Sequence, residues 1–102
     1  MKILLVCAGG FSTSILMNKV RKWAASNNED VRIDAMGKEA YENAWQNYDC
    51  ILIGPQIRYM EKRIKEKMAV KHIPVGVIPM EDYGRMDGTK VLKYAYSLMN
   101  KG

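Results

Sequence analysis

Hydrophobic residues along the chain fall into four short runs, separated by longer segments that mix apolar and charged positions. A short apolar run bounded by turn-forming residues is typical of a β-strand. The run that begins at Cys50 is apolar throughout and predicts a central strand. The second run alternates with Arg32 and Asp34 and predicts one wetter face. The predicted strands are Lys2–Val6, Val31–Met36, Cys50–Ile53 and Val75–Ile78.

The segments between these runs repeat their apolar residues at helical spacing. Ser12 or Thr13 can cap the first predicted helix, and Asp87 can cap the last. A short helix is predicted over Glu39–Asn47, and another follows the break at Gly54-Pro55. The inward positions of the three longer helices are Ile15, Leu16, Val20, Trp23 and Ala24, then Ile57, Met60, Ile64 and Met68, and finally Val91, Leu92, Ala95, Leu98 and Met99.

Strand and helix therefore alternate four times within 102 residues, which is the length of one domain. This pattern predicts a single three-layer α/β domain over residues 1–102, with a four-stranded parallel sheet flanked by helices. In such folds a ligand lies at the carboxyl ends of the strands, where the strand order reverses. With the order 2-1-3-4, that place is bordered by the loops at 8–12 and 54–56.

The net charge of +5 raises the question of nucleic-acid binding. The densest basic stretch runs from Arg58 to Lys71, but at helical spacing its charges point in several directions. We therefore expect no nucleic-acid partner, and interpret the stretch as a solvated helix or a surface that meets acidic proteins.

The sequence also argues against membrane insertion, export and metal binding. The chain has no apolar run long enough to insert into a membrane and no export signal, so a cytoplasmic location is expected. One histidine and two distant cysteines cannot build a zinc site, and no cofactor is expected. His72 precedes the fourth strand, at the wrong end of the sheet for the chemistry. Cys50 lies inside an apolar run and is interpreted as a buried structural thiol.

The segment from Cys7 to Ser14 carries the candidate chemistry. Gly9 and Gly10 allow backbone N–H groups to turn inward, and the helix that follows adds its own free N–H groups and positive dipole end. Together with the hydroxyls of Ser12, Thr13 and Ser14 they predict a phosphate cradle. A thiol at its edge is favoured as thiolate, the nucleophilic form. The alternative is a strand-to-helix turn in which Cys7 merely packs.

This loop resembles the phosphorylation loop of the lactose/cellobiose-type IIB proteins of the bacterial phosphoenolpyruvate-dependent sugar phosphotransferase system. The segments Cys7–Ser14, Leu52–Tyr59 and Tyr83–Gly88 carry the resemblance, in the right order and across nearly the whole chain. It implies that Cys7 accepts a phosphoryl group from a phosphohistidine of the IIA protein. Cys7 would then donate it to a β-linked, cellobiose-like disaccharide that the membrane-embedded IIC protein imports. The residues implied to wrap the phosphoryl group are Ala8, Gly9, Gly10, Phe11, Ser12 and Thr13.

The low-molecular-weight protein tyrosine phosphatases are the alternative family. Their loop has a cysteine, five residues, then arginine and serine. Here Thr13 stands at the arginine position, so the side chain that would grip the phosphate is absent. Asp82 and Asp87 are candidate proton donors for such an enzyme, but exposure and helix capping explain them better. Arsenate reductases of this fold need further cysteines. A carrier is therefore favoured over a phosphatase.

Two residues outside the loop, and one within it, are candidate contacts for a partner protein. Gln56 follows the third strand and Tyr83 the fourth, and both are candidate rim or partner contacts, with simple turn residues as the alternative. Phe11 stands where a smaller or more flexible residue such as methionine is expected. It is either a contact for IIA or IIC or a lid on the helix.

Overall fold

The computed structural model describes residues 1–8 and 12–100, although not the side chains of Ser12 and Thr13. Four parallel strands form one sheet in the order β2-β1-β3-β4, which confirms the predicted topology. Because β1 lies inside the sheet, its carboxyl end is flanked by the ends of β2 and β3. The strands are β1 (Lys2–Cys7), β2 (Arg32–Gly37), β3 (Cys50–Ile53) and β4 (Val75–Val77).

Helices cover both faces of this sheet. The last one begins where the sequence predicts, because a side-chain oxygen of Asp87 accepts a hydrogen bond from the backbone N–H of Lys90 at 3.1 Å. The α-helices in the described ranges are α1 (Ser12–Ser26), α2 (Glu61–Met68), α3 (Met80–Gly84) and α4 (Gly88–Asn100). Short 3-10 segments occupy Ala40–Asn43, Trp45–Asn47, Pro55–Met60 and Ala69–Lys71.

Alternation along β1 builds two cores. Ile3 and Leu5 belong to a cluster with residues of α1 and α4, whereas Leu4 and Val6 belong to a cluster on the opposite face. All four side chains are fully buried. Burial of one such side chain stabilises the fold by about 1.5–3 kcal/mol relative to exposure. β1 is therefore packed on both faces, and this packing determines the position of its last residue, Cys7.

The predicted helix over Glu39–Asn47 is wrong. Two 3-10 segments stand in its place, interrupted at Ala44, whose backbone has φ −133° and ψ −13°. Tyr41 and Trp45 are both buried at the helical spacing that suggested a helix. A segment this short gains too little from helix propagation to offset nucleation, so the packing of the two rings decides the backbone.

Other boundaries differ more modestly. The sequence did not predict α3, a five-residue helix that starts after Pro79. The helix expected directly after Gly54-Pro55 begins only at Glu61, because Ile57 adopts a non-helical backbone (φ −121°, ψ 32°) inside the preceding 3-10 segment. These changes leave the layers and the strand order as predicted.

Candidate active site

Cys7 is the last residue of β1, at the edge where the sequence places the chemistry. It pairs with Gly37, the last residue of β2. Its side chain is 6% exposed, and its Sγ lies 3.5 Å from the carbonyl oxygen of Met36, to which the thiol donates a weak hydrogen bond. The sulfur therefore lies beside the end of β2, and the residue that pairs with Cys7, Gly37, has no side chain.

Gly54 lies on the opposite side of Cys7 from Gly37, just after the end of β3. Its N–H donates to the carbonyl of Val6 at 2.9 Å, which continues the β1–β3 pairing past the end of β3. A Cβ at position 54 would lie 3.8 Å from Cα of Cys7 and 3.2 Å from Oε1 of Gln56. A side chain here would therefore fill the space between Cys7 and Gln56. Gln56 itself is exposed and lies at the same edge, as predicted from its position after β3.

The start of α1 completes the described part of the site. α1 begins at Ser12, so its N-terminal N–H groups and positive dipole end come shortly after Cys7 in the chain. Ser14 lies in its first turn with an exposed side chain, and Ala8 is also exposed. The predicted cradle residues Gly9, Gly10 and Phe11, and the side chains of Ser12 and Thr13, lie outside the described residues.

Tyr83 lies in α3, which follows β4 at this edge. It is 8% exposed and belongs to the core cluster on the α1 and α4 side. Tyr83 therefore packs in the core, and its contact with a partner stays a prediction. Asp87 is committed to the cap of α4, and its backbone N–H donates to the carbonyl of Asp82 at 3.0 Å.

His72 and Cys50, which the sequence analysis did not assign to the active site, lie at the opposite end of the sheet. His72 is exposed and precedes β4, with a left-handed backbone (φ 56°). Cys50 begins β3 and is fully buried. Burial, and to a lesser extent the charge of Asp49, raise the pKa of Cys50 to about 12. Both residues lie away from Cys7, as the sequence predicted.

A cleft of about 470 Å³ lies between the segments that follow β2 and β3, and no sequence motif predicted it. Its walls are the segments that follow Gly37 and Gly54, the two glycines that flank the end of β1. The lining residues are Lys38, Glu39, Glu42, Tyr59, Met60 and Arg63. Because the two walls are distant in sequence, only the strand order brings them together.

Two further searches cover the described part of the chain. Across residues 1–8 and 12–100, no three histidine, cysteine or carboxylate side chains converge as metal ligands. Within the same ranges, no helix combines the length and apolar character needed to cross a bilayer.

A sequence model of the family described as "PTS system, Lactose/Cellobiose specific IIB subunit" matches residues 2–94. The match spans the site and nearly the whole fold. The chain belongs to this IIB family. As a member, it is a sugar phosphotransferase component, and the resemblance in the loop is confirmed at the level of the family.

Two IIB relatives are equally similar to the chain. The galactose-specific EIIB component of Lactococcus lactis subsp. cremoris is 40% identical over 103 residues, covering 96% of this chain and 95% of the relative. The cellobiose-specific EIIB component of Lactococcus lactis subsp. lactis gives the same values. Since their names differ in the sugar, IIB membership is established more firmly than sugar preference.

A solved structure and a larger relative add to this. The solution structure of the cellobiose-specific phosphotransferase IIB component of Borrelia burgdorferi superposes with a TM-score of 0.82. It is 39% identical and covers 99% of this chain and 93% of that chain. The lactose-specific EIICB component of Lactococcus lactis is 33% identical over 55 residues, which are 54% of this chain and 10% of that protein. Its name places a IIC and a IIB component in one protein.

Proposed function

We propose that this IIB protein is a cytoplasmic phosphoryl carrier, with residues 1–102 acting as one domain. It accepts a phosphoryl group from a phosphohistidine of IIA on Cys7 and passes it to a β-linked, cellobiose-like disaccharide at IIC. The observation that carries the proposal is the position of Cys7. Cys7 is the last residue of β1, paired with Gly37, with Gly54 on its other side and the start of α1 shortly after it in the chain.

The loading step is an in-line displacement at phosphorus. The Cys7 thiol releases its proton to solvent, and the thiolate attacks the phosphorus of the phosphohistidine. An S–P bond forms, the P–N bond breaks, and the electron pair stays on the imidazole nitrogen. The N-terminal end of α1 favours the negative oxygens of the group in transfer. The glycines on either side leave room for a donor to approach.

The delivery step reverses the roles of sulfur. A hydroxyl oxygen of the sugar attacks phosphorus, an O–P bond forms, and the S–P bond breaks with the electron pair returning to Cys7. The hydroxyl proton passes to solvent. The products are a sugar phosphate and the Cys7 thiolate, which takes up a proton from solvent and so restores the thiol for the next cycle. The relative named for cellobiose, which is 40% identical, supports this class of acceptor.

A carrier must load readily and hydrolyse slowly. The chain has Thr13 where a phosphatase needs arginine. Asp87, one candidate proton donor, already accepts the capping bond from Lys90. Both facts support a phosphocysteine that persists until the sugar arrives rather than one that turns over with water.

The test is direct phosphorylation. The protein is incubated with phosphoenolpyruvate, the general phosphotransferase proteins and IIA, and its intact mass is measured. We expect one added phosphoryl mass that maps to Cys7, is absent in Cys7→Ala and persists in Cys50→Ala. Membranes that contain IIC and cellobiose should then discharge it. No added mass on the wild-type protein would refute the carrier, and rapid phosphate release from phenyl phosphate would favour the phosphatase.

A further inference from the structure

The cleft between the segments that follow Gly37 and Gly54 has basic residues at its rim. Lys38 and Arg63 line it, are both exposed, and form no ion pair within the described residues. Arg58 and Lys62 are exposed on the neighbouring turns. No ion pair among the described residues offsets the charge of any of these four side chains.

The acidic residues nearby offset little of this charge. Glu42 lines the cleft but pairs with Lys67 at 3.4 Å, and Glu61 pairs with Lys65 at 3.0 Å. Glu39 is the acidic lining residue with no ion pair among the described residues. The rim is thus net positive, and it opens at the edge where Cys7 lies.

An exposed aromatic ring stands within this rim. Tyr59 is 70% exposed, while its neighbour Met60 is buried against the core. A tyrosine surrounded by charged groups is typical of an anchor in a protein interface, because its ring supplies apolar area and its hydroxyl a hydrogen bond. The cleft therefore offers an aromatic anchor for a partner and a positive charge that attracts an acidic surface.

We propose that this cleft, through Lys38, Tyr59 and Arg63, docks an acidic surface of the protein that donates the phosphoryl group. The inference rests on the proposed function, and it names the contact surface of the donor. Cytoplasmic loops of membrane proteins are enriched in lysine and arginine, so the rim is poorly matched to a permease. A soluble donor that arrives by diffusion gains most from opposite charge.

The test compares two charge reversals of equal size. One variant combines Lys38→Glu and Arg63→Glu, and the matched control combines Lys22→Glu and Lys93→Glu, exposed positions on α1 and α4. The second-order rate of Cys7 loading is measured at about 0.01 M and about 1 M salt, where charges are screened beyond about 30 Å and about 3 Å. Thermal unfolding of both variants checks that the fold is kept.

We expect the cleft variant to load at least about tenfold more slowly at low salt, and the control within about twofold of wild type. The gap should close at high salt. Tyr59→Ala should raise the donor concentration needed for half-maximal rate by several-fold at both salt concentrations, because its contact is largely apolar. Equal rates for the cleft variant and the control would overturn the docking proposal.

Two additional measurements separate the possible failures. If wild-type protein takes no phosphoryl group, calorimetric titration with unphosphorylated donor still reports docking, so the carrier can fail while the interface stands. If the cleft variant loads at the wild-type rate, the carrier stands and the interface fails. Co-sedimentation with phosphatidylglycerol vesicles tests the other acidic surface in the cell. Vesicle binding that is lost in the cleft variant, with donor kinetics unchanged, would assign the rim to the membrane instead.

Discussion

Two cysteines lie on neighbouring strands of the same sheet, Cys7 at the carboxyl end of β1 and Cys50 at the amino end of β3. Their exposures are nearly equal, 6% and 0%. Cys7 lies opposite Gly37 and near Gly54, with α1 starting shortly after it. Cys50 pairs with Ile3 and packs within the core. Burial alone therefore does not distinguish the thiol proposed to carry the phosphoryl group from the one in the core, whereas position along the strand does.

The physical reason is what each end of a parallel sheet presents. Helices that follow the strands direct their N-termini to the carboxyl edge, so free N–H groups collect there. At the amino edge a strand enters the core without such groups. Cys50 accordingly has only desolvation and the nearby charge of Asp49, which both oppose its thiolate.

The largest expected difference between the two cysteines is in alkylation. With a pKa of about 12, Cys50 is thiolate in about one molecule in ten thousand at pH 8. We expect iodoacetamide to modify Cys7 at least about a hundredfold faster than Cys50, as followed by peptide mass mapping. The variant Cys7→Ser should lose the fast phase and keep the slow one. Similar rates at the two sites in folded protein would contradict the comparison.

The next effect is on stability at alkaline pH. The pKa of Cys50 rises from 9.0 to about 12 on folding, so below pH 9 the thiol is protonated in both states and the folded state has its full stability. Above that, the unfolded chain releases the proton first. The free energy of unfolding should fall by about 1.4 kcal/mol per pH unit from this group until pH about 12.

Urea unfolding at pH 8, 9 and 10 measures this slope, and Cys50→Ala is the control. Tyr48, whose pKa is raised to about 12 by burial and by its hydrogen bond to Asp34, contributes in both proteins. The slopes should therefore differ by the Cys50 contribution alone. Parallel slopes would show that the thiol is not desolvated as the structure indicates.

The smallest effect concerns the glutamines at the two ends of β3. Gln56 lies at the carboxyl edge with Oε1 near Gly54, and Gln46 is exposed just before the strand. We expect Gln56→Ala to slow the loading of Cys7 by about three- to tenfold, the effect expected if its amide donates one hydrogen bond to the group in transfer. Gln46→Ala should leave the rate unchanged. A loading rate for Gln56→Ala equal to that of the wild type would show that Gln56 is a turn residue with no part in phosphoryl transfer.

The sequence predicted the sheet well because its strands are marked by unambiguous apolar runs, and it predicted the start of α4 because Asp87 is a strong cap. It failed over Glu39–Asn47, where Tyr41 and Trp45 mimic a helical repeat that tertiary packing resolves differently. It missed α3, although Pro79 before an acidic first turn is a recognisable start signal.

The site divides in the same way. Cys7 and Gln56 could be placed because Cys7 ends one clear strand and Gln56 comes three residues after another. The cleft could not, because Lys38 and Tyr59 come from segments joined only by the strand order, and neither segment has a motif of its own. Tyr83 was predicted at the rim on position alone, whereas its burial depends on how α3 packs.

The contact between Sγ of Cys7 and the carbonyl of Met36 depends on the thiol proton, since a sulfur without a proton cannot donate. Each charging and discharging of the carrier would thus remove and restore the partner of one backbone carbonyl. Met36–Gly37 is the sole Met-Gly dipeptide in the sequence. Labelling methionine carbonyl carbon and glycine nitrogen would therefore give a single resonance, which serves as an internal gauge of how much of the protein is charged at any moment.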